Sequence, residues 1–187
     1  MERALSDTLI AASQWLQAEE VPHALIGGLA ASLRGQPRVT ADVDLVIGVD
    51  VSTALNLLSK LGTTSFQPLF DRADEIVQRA FILPLRHRDT QIKVDMAIGL
   101  SGFEQQVISR ATPLEIAGTS ISVATAEDLL LMKLIAGRPQ DDQDIRGIVT
   151  AQGALLDWPY CEQTAEKLSE VLGQDLMSRL RQLKQVR

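Results

Sequence analysis

Residues 23–47 constrain the fold of this chain more than any other segment. Residues 23–26 predict a short strand, Gly27-Gly28 a sharp turn, and residues 29–33 the first turns of a helix. A second strand follows, because the apolar run at residues 45–47 is typical of a strand buried in a sheet. The segment therefore predicts an α/β fold in which a strand, a glycine turn, a helix and a second strand come in that order.

Two carboxylates, Asp42 and Asp44, stand at the start of the second strand. Side chains two residues apart on a strand point to the same face, so these carboxylates lie side by side and repel one another. A divalent cation removes that repulsion, and Mg²⁺ takes a few carboxylate oxygens while leaving positions for water and phosphates. Thr40 is expected to support the pair through a hydroxyl hydrogen bond. For the pair taken alone, a solvated turn or an incidental calcium site is an equal alternative.

The glycine pair Gly27-Gly28 adds a second chemical feature. Glycine lets backbone N–H groups approach a phosphate closely, and the N-terminus of the following helix adds a favourable dipole. A tight turn that binds no ligand is the common alternative for such a pair. The order and closeness of the glycines and the aspartates together indicate half of a metal-dependent phosphoryl-transfer site.

Asp95 is the candidate for a third carboxylate. Residues 91–98 alternate between polar and apolar side chains, which predicts a strand with Lys93 and Asp95 on one face. If this strand lies beside the strand of Asp42 and Asp44, Asp95 completes a cluster able to hold two metal ions and to deprotonate an attacking hydroxyl. The alternative is a surface aspartate paired with Lys93.

Residues 125–145 predict a buried helix followed by the start of another. Thr125 is a good N-cap, and the helix after it is almost wholly apolar. Lys133 is the single cation in that helix, and a buried ammonium needs an anion, which can be a substrate phosphate, Asp141 or Asp144. The alternative is a lysine that reaches the surface along its own aliphatic stem.

Arg34 and Arg38 flank these groups. Arg34 is expected at a solvated helix end, with ligand contact as the alternative. Arg38 can clamp a triphosphate or a nucleic-acid backbone, since the guanidinium fork matches phosphate oxygens, or it can pair with Asp42 to position the loop. Asp141 and Asp144 fall one turn apart at the start of a helix, where carboxylates suit the dipole. Both can serve instead as caps or as partners for Arg138.

The combined motifs resemble a known family. The order Gly-Gly, Arg38-x-Thr40-x-Asp42-x-Asp44 and a later lone aspartate is similar to the nucleotidyltransferases of the DNA polymerase β superfamily, and within it to the abortive-infection (AbiEii-like) toxin group and its minimal relatives. A helix with a lysine, followed by Arg-Pro-x-Asp-x-x-Asp-Ile at residues 138–145, supports the same resemblance. The two motifs cover about residues 20–150. Gln140 departs from the pattern, because several relatives carry lysine there.

The resemblance implies an α/β (α+β) fold with a small mixed β-sheet core flanked by helices, followed by a C-terminal helical bundle. A nucleotidyltransferase-like catalytic domain is expected over residues 1–150, with a helical extension over residues 151–187 packed on it. The expected activity moves a nucleoside monophosphate from an NTP to an acceptor hydroxyl.

The resemblance also assigns roles within the site. Asp42 and Asp44 are expected to bind Mg²⁺ or Mn²⁺, Asp95 to bind the second metal and activate the acceptor hydroxyl, and Lys133 to stabilise charge on the triphosphate. A further set of residues is expected to bind the nucleotide or to support the residues that bind it. They are Gly27, Gly28, Arg38, Thr40, Arg138, Asp141 and Asp144.

The acceptor and the partners follow from the resemblance alone. It implies a toxin of a toxin–antitoxin pair, with a tRNA or other RNA end or a protein hydroxyl as acceptor and a cognate antitoxin as partner. One alternative is an antibiotic-type enzyme that acts on a small molecule such as an aminoglycoside or a lincosamide. Another is a non-catalytic nucleotide-binding partner or antitoxin subunit.

Composition limits the setting. The formal net charge of −6 argues against broad non-specific nucleic-acid binding, although it allows a local basic groove. The lone Cys161 excludes an internal disulfide and favours a reducing cytoplasm. No apolar run approaches the length that spans a bilayer, so no membrane partner is expected.

The remaining pattern predicts further elements. Helices are expected at 2–19, 51–61 and 101–110, strands at 77–83 and 91–98 joined by a polar connection at 86–89, and a small hairpin within 114–123. After residue 144 the pattern is helical, with breaks near 157–159 and at 173, and it ends in an amphipathic basic segment at 174–187.

Overall fold

The computed structural model describes residues 2–185. Residue 1 of the predicted catalytic domain and the last two residues of the predicted C-terminal segment lie outside the described residues. Contacts divide the chain into two compact units, which are described separately. The sheet unit comprises residues up to 29 and residues 39–124, and the helical unit comprises residues 30–38 and the chain from 125 onward.

The sheet unit is built on seven strands, and the predicted mixed sheet is confirmed. The strands are β1 (His23–Ile26), β2 (Asp42–Ile47), β3 (Phe66–Pro68), β4 (Ile82–His87), β5 (Lys93–Ile98), β6 (Thr112–Ile116) and β7 (Thr119–Val123). Their order across the sheet is β3-β4-β5-β2-β1-β7-β6. The pairs β1–β2 and β4–β5 are antiparallel, whereas β2–β5 and β1–β7 are parallel.

Four helices and a 3₁₀ turn complete the described part of the sheet unit: α1 (Arg3–Ala18), α3 (Val51–Ser59), the 3₁₀ turn Leu61–Thr63, α4 (Ala73–Ala80) and α5 (Gly102–Arg110). Their ends follow the sequence. Asp50 caps α3 by accepting a hydrogen bond from the backbone N–H of Thr53, and Ser101 with Glu104 forms a capping box on α5.

The helix α2 (Gly27–Arg34) runs from the sheet unit into the helical unit. The helical unit continues with α6 (Ala126–Ala136), α7 (Pro139–Gln152), α8 (Trp158–Leu172) and α9 (Leu176–Gln185). Gly137 ends α6 in the left-handed region at φ 63°, and Pro139 occupies the first turn of α7. The contacts therefore place residues 125–150 in the same compact unit as the C-terminal helices. A catalytic domain that ends near residue 150 stays a prediction.

The predicted strand at 77–83 is wrong in its first half. Residues up to Ala80 complete α4, whose buried residues Ala73 and Val77 are one helical turn apart. Phe81 ends the helix in the left-handed region at φ 55°, and β4 begins at the next residue. The apolar run thus spans a helix end and a strand start, which local periodicity does not separate.

The short edge strand β3 was not predicted. It has three residues and ends in Pro68, which edge strands tolerate because one side of an edge strand lacks a pairing partner. Among residues 2–185, none of the helices combines the length and the apolar character needed to cross a membrane.

Candidate active site

The register of β2 and β5 brings the three predicted metal-binding aspartates onto one face of the sheet. The two strands are parallel neighbours, with Asp44 opposite Asp95 and Asp42 opposite Lys93. Residues directly opposite in a sheet, and residues two apart on a strand, share a face. We call the surface formed by Asp42, Asp44, Lys93 and Asp95 the carboxylate face. These four residues are partly exposed, whereas the alternate positions of both strands are buried.

Lys93 is a cation on the carboxylate face, and it is paired with one of the three carboxylates. Lys93 Nζ is 2.5 Å from Asp95 Oδ2, and the two side chains are 41% and 23% exposed. The hydrogen bond to Asp95 raises the pKa of Lys93; burial opposes this, and the negative charges of Asp95, Asp42 and Asp44 add to it. All three carboxylates therefore act on the same ammonium group.

Gly27 allows Asp44 to approach the start of α2. Gly27 has φ 68°, and a Cβ built there would lie 2.6 Å from the Cβ of Asp44, closer than real atoms come. The preceding residue, Ile26, is the strand partner of Asp44. Two independent constraints therefore require glycine at this position, and the turn sets the N-terminal end of α2 beside a carboxylate of the candidate site.

Thr40 makes the hydrogen bond that the sequence predicts. Its Oγ1 donates to Asp42 Oδ1 over 3.1 Å. The hydroxyl group thus fixes the orientation of the Asp42 carboxylate from the segment that precedes β2.

The donor set fits a hard divalent cation in its chemistry. Asp42, Asp44 and Asp95 offer only carboxylate oxygens, they come from two adjacent strands, and a positive charge is already held on this face. No three His, Cys, Asp or Glu side chains within residues 2–185 are grouped closely enough to hold a metal ion in this conformation. The carboxylates therefore share a face without having converged on a common point.

The helical unit contains a buried ion network around Lys133. The Nζ of Lys133 lies 2.9 Å from Asp141 Oδ1 and 2.8 Å from Asp144 Oδ2. Lys133 is 4% exposed, Asp141 0% and Asp144 5%. Of the alternatives that the sequence allows for this lysine, a surface position is therefore wrong, and its ammonium has carboxylate partners. Direct contact of Lys133 with a substrate phosphate stays a prediction.

Two arginines complete this network. Arg38 pairs with Asp144 through Nε and through Nη2, the latter 3.0 Å from Oδ2. Arg138 pairs with Asp141 through Nε–Oδ2 at 2.9 Å and Nη2–Oδ1 at 3.2 Å, and its backbone N–H donates to the same carboxylate. Fork-shaped pairing of this kind is the strongest form of a carboxylate–guanidinium contact.

The network changes the acidity of its carboxylates and carries an excess of positive charge. Burial raises the pKa of Asp141, but hydrogen bonds from Arg138 and Lys133 outweigh it and lower the pKa to about 2. Burial also raises the pKa of Asp144, but hydrogen bonds from Arg38 and Lys133 outweigh burial and lower this pKa below its ordinary value. Three cations face two carboxylates, so the network has one positive charge in excess. The side chains of Arg38 and Arg138 are 27% and 59% exposed.

Sequence reasoning missed the close approach that positions Arg38. A Cβ on Gly35 would lie 2.8 Å from the backbone nitrogen of Ile148, and one on Gly147 would lie 3.3 Å from the backbone nitrogen of Gln36. The chain after α2 thus runs directly against α7. A glycine inside a helix, as at Gly147, is the signal that could have indicated this contact.

The comparisons with known proteins agree with this architecture. A family described as nucleotidyltransferase of unknown function (DUF6036) matches residues 7–184. No curated protein matches the sequence of this chain.

Solved structures share the fold at low sequence identity. An antigenic nucleotidyltransferase-like protein from Paracoccidioides brasiliensis superposes with a TM-score of 0.58 at 21% identity, over 95% of this chain and 92% of that chain. The lincosamide antibiotic adenylyltransferase LnuA, bound to lincomycin, has a TM-score of 0.53 at 17% identity, over 76% of this chain and 94% of that chain. ANT(2")-Ia, in complex with adenylyl-2"-tobramycin, has a TM-score of 0.55 at 13% identity, over 95% and 97% of the two chains.

Proposed function

Because the chain belongs to the family of nucleotidyltransferases of unknown function (DUF6036), we propose that its carboxylate face carries a magnesium-dependent transfer of a nucleoside monophosphate from an NTP to an acceptor hydroxyl. The observation that carries the proposal is the register of β2 and β5, which sets Asp95 beside Asp44 and two residues from the level of Asp42. Three carboxylates on one face have the charge and the oxygen donors that a nucleotide with its metal requires.

Asp42 and Asp44 are proposed to hold Mg²⁺ or Mn²⁺, and Asp95 to share in binding the second ion. A bound metal ion would neutralise negative charge on the carboxylates and on the nucleotide phosphates. Thr40 keeps one oxygen of Asp42 in place. Asp95 accepts the proton of the acceptor hydroxyl. The hydroxyl oxygen bonds to the α-phosphorus of the nucleotide, and the bond from that phosphorus to the leaving pyrophosphate breaks.

Gly27 and Gly28 are proposed to receive the phosphates. They form the first residues of α2, next to Asp44, where backbone N–H groups and the helix dipole favour an anion. The close packing of Gly27 against Asp44 supports this role, because it leaves no side chain between the glycine turn and the Asp44 carboxylate.

The ion network of the helical unit is proposed to assist nucleotide binding through its arginines. Arg38 and Arg138 are each anchored on a buried carboxylate, and both side chains are partly exposed. Lys133 holds Asp141 and Asp144 in place and thereby orients both arginines. The excess positive charge of the network supports affinity for a polyphosphate.

The acceptor belongs to one of two classes. The resemblance to the AbiEii-like group supports a toxin that modifies an RNA or tRNA end or a protein hydroxyl and is opposed by a cognate antitoxin in the cytoplasm. A small hydroxylated molecule is the second candidate, favoured because two antibiotic-modifying adenylyltransferases share this fold over 94% and 97% of their own length. The net charge of −6 also favours a small acceptor over a long polyanion bound without specificity.

The experiment that tests the proposal is transfer of labelled nucleotide. Purified protein is incubated with Mg²⁺, each α-labelled NTP in turn, and either total RNA with cell protein or a panel of aminoglycosides and lincosamides. The Asp42→Asn/Asp44→Asn variant is compared with Asp71→Asn/Asp89→Asn, which removes the same charge at two exposed positions outside the carboxylate face. We expect transfer by the parent and the control only, and the labelled acceptor identifies the class. Transfer that survives in Asp42→Asn/Asp44→Asn would contradict the assignment.

A further inference from the structure

Lys93 is the residue of the carboxylate face that the proposed transfer does not use. It is the first residue of β5, it lies opposite Asp42 in the strand register, and it precedes Asp95 by two positions. Both relations direct its side chain to the face of the three aspartates. Its ammonium reaches Asp95 at 2.5 Å and is attracted also by Asp42 and Asp44.

Charge explains why a cation lies here. Asp42, Asp44 and Asp95 carry three negative charges on one face, and neighbouring carboxylates without a counter-ion repel one another. The ammonium of Lys93 pairs with Asp95 and offsets one of the three charges. The side chain is 41% exposed, so its flexible stem can swing towards solvent without breaking a core contact.

The same contact occupies one of the three carboxylates. Asp95 Oδ2, one of the two oxygens that this residue can offer, is engaged by Lys93 Nζ. The three aspartates share a face of the sheet. They do not lie close enough together to form a metal site, and no other such group is found within residues 2–185. A divalent cation and an ammonium cannot both occupy the space between these carboxylates without strong repulsion.

We propose that Lys93 is a resident cation of the carboxylate face, which holds Asp95 through its ammonium until a divalent cation binds to the aspartates and Lys93 withdraws. Lys93 is thus a positioning residue that sets the threshold of metal affinity, and it acts through Asp95. The proposal rests on the proposed function, since it assumes that these aspartates bind metal.

The test measures Mn²⁺ binding directly, by the loss of the free-ion EPR signal, without any substrate. Lys93→Met and Lys93→Gln remove the ammonium, and we expect each to lower the Kd for Mn²⁺ about tenfold, because one repelling charge is removed from a partly solvated site. Lys93→Arg keeps the charge and is expected to remain within about threefold of the parent. Thermal unfolding gives a second measure, in which Mn²⁺ raises the Tm of Lys93→Met by more than it raises the Tm of the parent.

Lys60→Met is the matched control. Lys60 Nζ lies 2.5 Å from Glu19 Oε2, with side-chain exposures of 45% and 26% that are close to those of the Lys93–Asp95 pair. This variant changes net charge and removes a similar ion pair away from the carboxylate face, so its Kd for Mn²⁺ is expected to equal that of the parent.

The outcomes separate the two proposals. If the parent binds Mn²⁺ and Asp42→Asn/Asp44→Asn does not, yet Lys93→Met binds no tighter than the parent, the role of Lys93 is refuted and the metal site stands. Equal tightening in Lys93→Met and Lys60→Met would also refute it, since net charge alone would then explain the effect. If neither the parent nor Lys93→Met binds Mn²⁺, the proposed function fails and the inference fails with it.

Discussion

Asp44 of β2 and Asp95 of β5 are direct partners in a parallel strand pair, although 51 positions of the sequence separate them (95 − 44 = 51). Parallel pairing puts their side chains on one face, next to each other, at about the inter-strand spacing of 4.8 Å. This pairing converts three aspartates from two distant motifs into a single anionic surface. The predictions below test that surface and the ion network of the helical unit.

Asp95→Asn removes the proposed proton acceptor and keeps the shape of the side chain. We expect nucleotidyl transfer to fall about 10²- to 10⁴-fold, the usual contribution of a general base. The pair with Lys93 is partly exposed, so the free energy of unfolding should change by less than about 1 kcal/mol. Initial rates of pyrophosphate release and urea unfolding measure the two effects. A variant with unchanged rate would show that Asp95 does not accept the proton.

Gly27→Ala tests the close approach of Asp44 to the start of α2. The added Cβ would lie 2.6 Å from the Cβ of Asp44 and would also sit at φ 68°. We expect a loss of about 3 kcal/mol in the free energy of unfolding, from backbone strain and crowding together. Gly118→Ala is the control, because Gly118 has φ 80° with nothing within 4 Å of a built Cβ, and strain alone should cost about 1 kcal/mol. Equal losses in the two variants would mean that Asp44 is not packed against Gly27.

Lys133→Met leaves the buried carboxylates of Asp141 and Asp144 without their shared ammonium. Removing one partner of a buried ion pair costs about 3–5 kcal/mol when the remaining charge is left uncompensated. Asp141 and Asp144 each keep an arginine, so we expect the lower end of that range, about 3 kcal/mol. The exposed pair of Lys60 with Glu19 offers the comparison, and Lys60→Met should cost no more than about 1 kcal/mol. Urea unfolding at neutral pH measures both. Similar costs would indicate that the network of Lys133 is solvated in solution.

The Asp141 carboxyl makes stability depend on pH. Its pKa is about 2 in the folded protein against an ordinary value of 3.8, so its contribution is fully present above the ordinary pKa and is lost as the pH falls through the folded one. Between pH 5 and pH 2, the parent should therefore lose about 2 kcal/mol more of its free energy of unfolding than Asp141→Asn. Urea unfolding across this range provides the measurement, and parallel pH profiles would contradict the assigned pKa.

The sequence predicted those parts of the site that depend on local geometry. The shared face of Asp42 and Asp44, and that of Lys93 and Asp95, follow from the two-residue period of a strand. The Thr40 hydrogen bond is also a local contact, because it joins residues only two positions apart. The sequence alone could not predict that β2 pairs with β5, because the neighbours of a strand depend on the arrangement of the whole sheet.

Other contacts were beyond local reasoning. Arg38 meets Asp144 across 106 positions of the chain, and the approach of Gly35 to α7 depends on packing within the helical unit. The sequence predicted a strand from residue 77 and no helix directly before it, whereas Val77 belongs to α4, which ends at the left-handed conformation of Phe81. The sequence also left open whether Asp95 completes the cluster or pairs with Lys93. In the structure Asp95 shares a face with Asp42 and Asp44 and pairs with Lys93, and its part in a metal-binding cluster stays a prediction.

The central claim is that Asp42, Asp44 and Asp95 form the centre of nucleotidyl transfer. Its most direct measurement is pyrophosphate release with Mg²⁺ and the four NTPs, in the presence of the acceptor fraction that takes up label. We expect the parent to release pyrophosphate and EDTA to abolish this release. The rate should fall at least about 10²-fold in Asp42→Asn/Asp44→Asn, whereas Asp71→Asn/Asp89→Asn should keep the parental rate. Release at the parental rate from Asp42→Asn/Asp44→Asn would contradict it.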